Sequence, residues 1–376
     1  MSACMVRAAV MPQAGWPIEV HDYPLPKLEE GAILLRTIYS EVCGTDVHLQ
    51  QGHLAGVPYP IIPGHVNVGE IAEMAGHPCD QDGIPLRIRQ LVTFLDVHET
   101  CGRCWYCTVA KASTRCPNRR VYGITYSADE GLLGGWSQYI YLKPGVKVLP
   151  LPESVPPERF IGAGCGLPTA VHALERAEVM LGDTVVIQGS GPVGLTAAIL
   201  AQLSGATRVI VIGGPAQRLQ EALRIGADEI LDITLMDSNA RRDRVLALTN
   251  GRGADVTIEA SGSPVAVNEG FALTRDAGRY IIVGQYTDLG DIRMNPHIDI
   301  NRKHLEVCGC WGSDFSHLWR GMRVLEKYGE RYQWERFITR RYGLSQANEA
   351  LDDVAHWRTV KALIDPWLNE EEPQRG

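Results

Sequence analysis

Two domains, one an α/β domain built on a doubly wound parallel sheet and the other β-rich, are predicted for this chain by three observations. Its 376 residues exceed the size at which one hydrophobic core keeps growing. From about Asp183 to Lys303, apolar strand-sized runs alternate with amphipathic helical stretches, the pattern of a parallel sheet covered on both faces. Before about Leu151 the chain instead carries short β-like runs among many Gly and Pro residues.

In the alternating region, 184–188 reads as a strand, 192–204 as a helix, 208–212 as a strand and 216–225 as a helix. Strands at 255–260 and 279–283 continue the series, with helices at 241–249 and 265–275 between them. The β-rich part offers strands at 32–39, 67–74, 91–95 and 138–142. Beyond Lys303 the pattern loosens into a strand at 305–311, helices at 316–328 and 345–354, and a closing strand at 360–364. No internal repeat or low-complexity segment is visible, and the polar tail from Asn369 is expected to fray.

Apolar residues at 45% and charged residues at 21% exclude a disordered or fibrous chain. A formal charge of −8 provides no basic footprint, so neither nucleic acid nor an anionic membrane is expected as a partner. The first residues lack the pattern of a secretory signal. The longest apolar runs fall far short of the roughly 20 residues of a membrane span. A soluble, cytoplasmic protein is expected, and in that compartment ten cysteines read better as ligands and packing groups than as disulfides.

Four of those cysteines, Cys101, Cys104, Cys107 and Cys116, form a C-x2-C-x2-C-x8-C run. Three thiolates at three-residue steps wrap one ion and a fourth closes a tetrahedral shell, the arrangement of a structural zinc. An iron–sulfur cluster and, behind it, disulfides are the competing readings. A closed Cys4 shell leaves no position for a substrate, so this site is expected to hold a lobe together.

Gly189-Ser190-Gly191-Pro192-Val193-Gly194 follows an apolar strand and opens a helix. In that setting the turn is a dinucleotide site, with the pyrophosphate met by backbone N–H groups at the helix N-terminus. A flavin site or a purely structural turn is the plainer alternative. No acid occurs from Thr184 to Gln220, and the position where an acid usually meets the ribose 2′-hydroxyl is held by Gly213, followed by Gly214 and, one helical turn on, Arg218. Arg218 could pair with a 2′-phosphate, while two glycine backbones can also bind a plain ribose. NAD(H) and NADP(H) both stay open.

The segment Cys43-Gly44-Thr45-Asp46-Val47-His48 gathers a thiol, a hydroxyl, a carboxylate and an imidazole in six residues. With Gly64-His65, the cysteine cluster, Gly164-Cys165-Gly166 and the Gly-rich turn in this order, the chain resembles the zinc-containing medium-chain alcohol dehydrogenases over nearly its whole length. The resemblance implies a Rossmann cofactor domain at 168–304 and a GroES-like catalytic domain at 1–167 and 305–376 holding both zinc ions. It implies Cys43, His65 and Cys165 as ligands of a catalytic zinc with a fourth position open for water or substrate oxygen. It makes Asp46 the carboxylate that orients His65, Thr45 and His48 a proton relay, and Lys361 a basic group toward the cofactor pyrophosphate.

Two departures stand out. Many relatives have Glu directly after the ligand histidine where this chain has Val66, and the loop before Cys116 is one residue longer than usual. Pocket positions implied by the resemblance are Val97, Trp136, Gln285 and Tyr286, with His53 and Leu54 on a loop expected to approach the site. The two aromatics suggest a bulky, largely apolar cavity.

The expected function is reversible hydride transfer between a secondary, cyclic or bulky apolar alcohol and NAD(P)+, by a homodimer or homotetramer. The alternatives are a zinc-free reductase of the same superfamily and a non-catalytic nucleotide-binding protein. The set Cys43, His65 and Cys165 speaks against the first, and Thr45 with His48 against the second. Each residue also has a bland reading: cysteines are commonly buried as small apolar groups and Thr45 could simply cap a helix. Taken outside their motifs, His53, His98, His297, His304 and His317, and likewise Cys4, Cys79, Cys308 and Cys310, receive no role.

Overall fold

The computed structural model describes residues 4–369, so the tail beyond Asn369 lies outside the described residues. The chain divides into two compact units, one running to Cys165 and resuming at Asp314, the other spanning Gly166–Ser313. The second boundary therefore falls nine residues later than the expected 304/305. The reason is the strand Glu306–Gly309, which pairs in parallel with Thr274–Ile282 through Arg279 to Glu306 and Ile282 to Gly309.

The second unit is a six-stranded parallel sheet ordered Glu229–Asp232, Arg208–Gly213, Thr184–Gln188, Ala254–Glu259, Thr274–Ile282, Glu306–Gly309. Counted along the chain this is the order 3-2-1-4-5-6 of dinucleotide-binding sheets. Val185, Val186 and Ile187 are all fully buried, which is why their strand reads as a continuous apolar run instead of an alternating one. Val186, Ile210, Ile212 and Leu231 pack on Val245 and Leu273. The helix Pro192–Ser204 starts with Pro at its first position, where the missing N–H is not needed. It leaves the carboxyl end of Thr184–Gln188, next to the point where strand order reverses.

The first unit carries a seven-stranded sheet ordered Ile338–Tyr342, Lys361–Ile364, Ile33–Val42, Asn67–Met74, Leu91–Phe94, Val148–Pro150, with Tyr139–Leu142 also on Ile33–Val42. Ile33–Val42 is the hub, and its side chains alternate between two cores. Leu34 and Val42 join Trp136, Leu49 and Ile61 on one face, while Ile33 and Leu35 join Ile71, Phe94 and Tyr122 on the other. Helices Pro157–Ala163 and Gly166–Ala177 lie where the sequence was given no element. Pro168 is tolerated because it sits in a first turn, whose N–H groups have no helical partner. Among the described residues no helix is long and apolar enough to cross a membrane.

Candidate active site

The register of the hub strand assembles the site. Ser40 pairs with Asn67 and the Glu41 N–H donates to the Val66 carbonyl at 3.0 Å. The residue leaving one strand and the residue entering the other therefore lie side by side, with Cys43 Sγ 3.9 Å from His65 Nε2. Cys165, just after the helix Pro157–Ala163, completes a group whose donor atoms all lie within 4.8 Å of one another.

A zinc ion held by a thiolate and an imidazole at ordinary bond lengths separates S from N by about 3.6 Å, close to what is found. A bond with Cys165 and, against burial, the His65 imidazole hold the Cys43 thiol well below its usual range. Burial opposes charge on His65, yet Cys43, Asp46 and Asp96 push its pKa up to about 10. The Cys43 hydrogen bond and burial push the Cys165 thiol well above its usual range; two sulfurs and one imidazole nitrogen this close suit a divalent cation and leave a fourth position free.

Asp46 is fully buried, but it does not orient His65 by a hydrogen bond. Its carboxylate accepts the Cys43 N–H at 2.9 Å and the Gly64 N–H at 3.4 Å, while His65 Nδ1 has no hydrogen-bond partner. Asp46 thus fixes the two backbone segments that carry the donors. Thr45 and His48 lie three apart on the helix Gly44–Gln50, hence on one face. Burial, then His53, lower the pKa of His48, with Cys43 acting the other way.

Lys361 departs furthest from expectation. It is 2% exposed, and its Nζ donates to Glu41 Oε1 at 2.6 Å and to the Ala163 carbonyl at 3.2 Å. Facing inward from the strand Lys361–Ile364 and already paired, it does not serve a pyrophosphate. Glu41 is the residue the sequence reading missed. Its other oxygen accepts the Cys165 N–H at 2.6 Å, and Oε1 lies 3.3 Å from Cys165 Sγ. An ionic pair at the hub strand therefore holds the third donor.

The cysteine lobe closes as expected. Cys104 lies 3.5 Å from Cys107 and 3.9 Å from Cys116, and Cys116 lies 3.7 Å from Cys101, sulfur to sulfur. A tetrahedral shell with zinc–sulfur bonds of about 2.3 Å has S···S edges of about 3.8 Å, whereas a disulfide needs about 2.05 Å. Sulfurs this close enclose one ion better than a multi-iron cluster.

In the second unit, a Cβ on Gly194 would lie 1.8 Å from the Gly189 carbonyl oxygen, so the turn closes only with glycine there. Gly191, Pro192 and Val193 then form the helix N-terminus. Ser190, given no role of its own in the sequence analysis, ties this turn to the second strand: its Oγ accepts the Gly214 N–H and donates to the Gly214 carbonyl, both at 3.0 Å. A Cβ on Gly213 would meet that Oγ at 2.4 Å. The Arg218 guanidinium comes within 3.8 Å of where a Cβ on Gly191 would stand, and burial draws its pKa down to about 10. An acid does approach from the third strand, since Asp232 pairs with Gly213, but its Oδ1 accepts from the Thr234 N–H at 2.8 Å and hydroxyl at 2.7 Å.

The pocket residues fare unequally. Trp136 is fully buried in the core, its Nε1 donating to the Glu41 carbonyl at 3.0 Å; it supports the hub strand and is not an open cavity wall. Val97 is buried at 6% exposure. In the second unit Tyr286 stacks on Trp311 at 5.7 Å and 11°, and Gln285 Nε2 is buried without a partner. Trp311, which the sequence reading placed only in a strand, extends the aromatic surface.

Residues 29–153 match the family described as alcohol dehydrogenase GroES-like domain, and residues 192–326 that described as zinc-binding dehydrogenase. The chain is 32% identical over 364 residues to 5-exo-hydroxycamphor dehydrogenase of Pseudomonas putida, covering 96% of this chain and 99% of the relative. It is 31% identical over 369 residues to sorbitol dehydrogenase of Bacillus subtilis, covering 96% and 97%. Among solved structures it is similar to an alcohol dehydrogenase from Thermotoga maritima, with a TM-score of 0.91 and 34% identity over 96% of this chain and 99% of that one.

Proposed function

Because the chain belongs to the zinc-containing medium-chain dehydrogenase/reductase family and is an NAD(P)-linked alcohol oxidoreductase, we propose that it interconverts secondary, cyclic or bulky apolar alcohols and their carbonyl products at Cys43, His65 and Cys165. The observation that carries this reading is the convergence of those three donors within 4.8 Å beside the helix bearing Thr45 and His48. Cys43, His65 and Cys165 would hold a zinc ion whose Lewis acidity would lower the cost of removing the alcohol proton. The nicotinamide supplies the hydride acceptor. Thr45 accepts the alcohol proton and hands it to His48, while Asp46 and the Glu41–Lys361 pair keep the donor segments in place. A zinc-free reductase would have no need of this buried donor set.

The substrate class is supported by the relative named for hydroxycamphor, a secondary alcohol on a rigid ring system. The test is an oxidation screen across cyclic secondary alcohols, aromatic alcohols and polyols with NAD+ and NADP+ side by side. Cyclic secondary alcohols are expected to give the highest kcat/KM, and a tenfold preference for sorbitol would contradict the reading.

For the cofactor, the acid-free end of the second strand and Arg218 over the Gly-rich turn favour NADP(H). A charge-assisted bond of about 1.5–3 kcal/mol means that Arg218→Ala should raise the KM for NADP+ at least about tenfold and leave that for NAD+ within about twofold. Equal effects on both would remove Arg218 from 2′-phosphate recognition.

The second zinc is assigned to Cys101, Cys104, Cys107 and Cys116. Cys104→Ser is expected to release one zinc and raise tryptic cleavage at Arg103, Lys111 and Arg115 at least about tenfold, because local order there depends on the metal. Unchanged cleavage would leave the cluster without a structural role. The strand Glu306–Gly309 ends its sheet among the described residues and is largely exposed, which supports pairing between copies in a homodimer or homotetramer.

A further inference from the structure

The helix Gly44–Gln50 ends in a way that brings a second imidazole against the relay histidine. Gly52 takes φ +75°. Its N–H donates to the Leu49 carbonyl at 3.1 Å, and the His53 N–H donates to the His48 carbonyl at 2.9 Å. These are the two bonds of a Schellman cap, in which the residue after the left-handed position folds back on the residue five before it, commonly as an apolar contact. Here both members are histidines. Their ring centroids are 5.6 Å apart and their Nδ1 atoms face each other at 3.4 Å. His48 is half-buried and His53 is exposed, so the pair runs from the helix surface to solvent, with an Nε2 at each end.

We propose that His53 is the terminal member of the proton relay, taking the proton of the alcohol from His48 and releasing it to water. The inference rests on the alcohol-oxidation reading above. In the forward direction the Thr45 hydroxyl receives the alcohol proton and gives its own to His48 Nε2. The proton on His48 Nδ1 passes to His53 Nδ1, and the proton on His53 Nε2 leaves to water. The sum is one proton released for each hydride moved from alcohol to nicotinamide, and exchange of the exposed ring with water restores the starting tautomers.

Burial and then His53 lower the pKa of His48, and Cys43 raises it. The helix Ala347–Ala355 packs on Gly44–Gln50, but its acids are engaged elsewhere. Glu349 faces Gln346 and Arg340, Asp352 faces His356 and Arg358, and Asp353 faces Tyr342, Arg340 and Arg358. The Tyr59 hydroxyl donates to the Leu49 carbonyl. Asp46, on the same helix, is spent on the Cys43 and Gly64 backbone.

The test uses the full-length zinc-loaded enzyme, cyclohexanol and NADP+ in weak buffer across pH, with His53→Asn, His48→Gln and the double variant. His53→Asn should lower kcat by about threefold to tenfold near neutral pH, where hydroxide is scarce, without changing the KM or zinc content. Added imidazole should restore it. His48→Gln should cost more, and the double variant no more than His48→Gln alone, because the two act in series. An unchanged pH profile for His53→Asn, or a double loss equal to the product of the single losses, overturns the proposal. Imidazole 15N NMR gives a readout independent of turnover. His48 should titrate at higher pH in His53→Asn than in the parent, since a like charge is removed, and an unmoved titration also overturns the pairing. A parent enzyme that oxidises no alcohol would instead strike the functional reading, with the NMR result still deciding the pair.

Discussion

Cys43→Ala is expected to lower alcohol oxidation by about 1,000-fold or more, with the fold and the cysteine lobe intact. Losing one preorganised electrostatic contact in an active site costs about 10²–10³ in rate, and here the change removes one of only three protein donors. Cys43 is the donor at which the others meet. It lies 3.9 Å from His65 Nε2, within 4.8 Å of the Cys165 sulfur, and at the N-cap of the relay helix. Its backbone N–H still reaches Asp46 in the variant, because that bond does not use the thiol. The helix should therefore stay in place while the site fails, and a circular-dichroism spectrum matching the parent alongside the lost turnover would separate the two. A loss below tenfold would mean that the reaction does not depend on this donor set.

The second large effect is on stability. Lys361 and Glu41 are each 1% exposed in their side chains and pair at 2.6 Å. Removing one partner of such a pair leaves a bare buried charge and costs about 3–5 kcal/mol. Lys361→Met is accordingly expected to destabilise the enzyme by that amount in denaturant unfolding. Adding Glu41→Gln should recover most of it, since the amide oxygen can still accept the Cys165 N–H without an uncompensated charge. Lys361→Met costing under about 1 kcal/mol, or a double variant worse than the single one, would contradict the buried-pair account. The same series should weaken zinc retention, because Glu41 fixes the segment that carries Cys165.

What the sequence made legible follows a physical division. Asn67–Met74, Thr184–Gln188 and Pro192–Ser204 were readable to the residue, because burial on both faces or on a clear stripe imposes an apolar pattern. Glu229–Asp232 was not, since only Leu231 of its four residues is buried. In the site, what lies close in sequence was visible: the segment from Cys43 to His48 and the cysteine run carry their chemistry within a few residues. Contacts made by tertiary register were hidden. Glu41 and Lys361 are 320 residues apart, and nothing local tells that a lysine on a closing strand turns inward to a glutamate beside Cys43.

Two further residues show the same limit. Trp136 reads equally well as a cavity wall or as core, and only packing against the hub strand decides. His53 looks like an exposed loop residue until the Schellman cap returns it to His48. The Val66 departure gains a structural counterpart as well: the carbonyl of Val66 accepts from the N–H of Glu41. A carboxylate absent just before one strand is thus present on the hub strand beside it, turned to Cys165 and not among the three grouped donors.

The central claim, one zinc at Cys43, His65 and Cys165 and another at the cysteine lobe, is tested most directly by zinc content per chain in the parent and in Cys43→Ser. The account predicts two zinc ions in the parent and one in the variant. A parent holding a single zinc that survives Cys43→Ser and disappears only when Cys104 is replaced would contradict it.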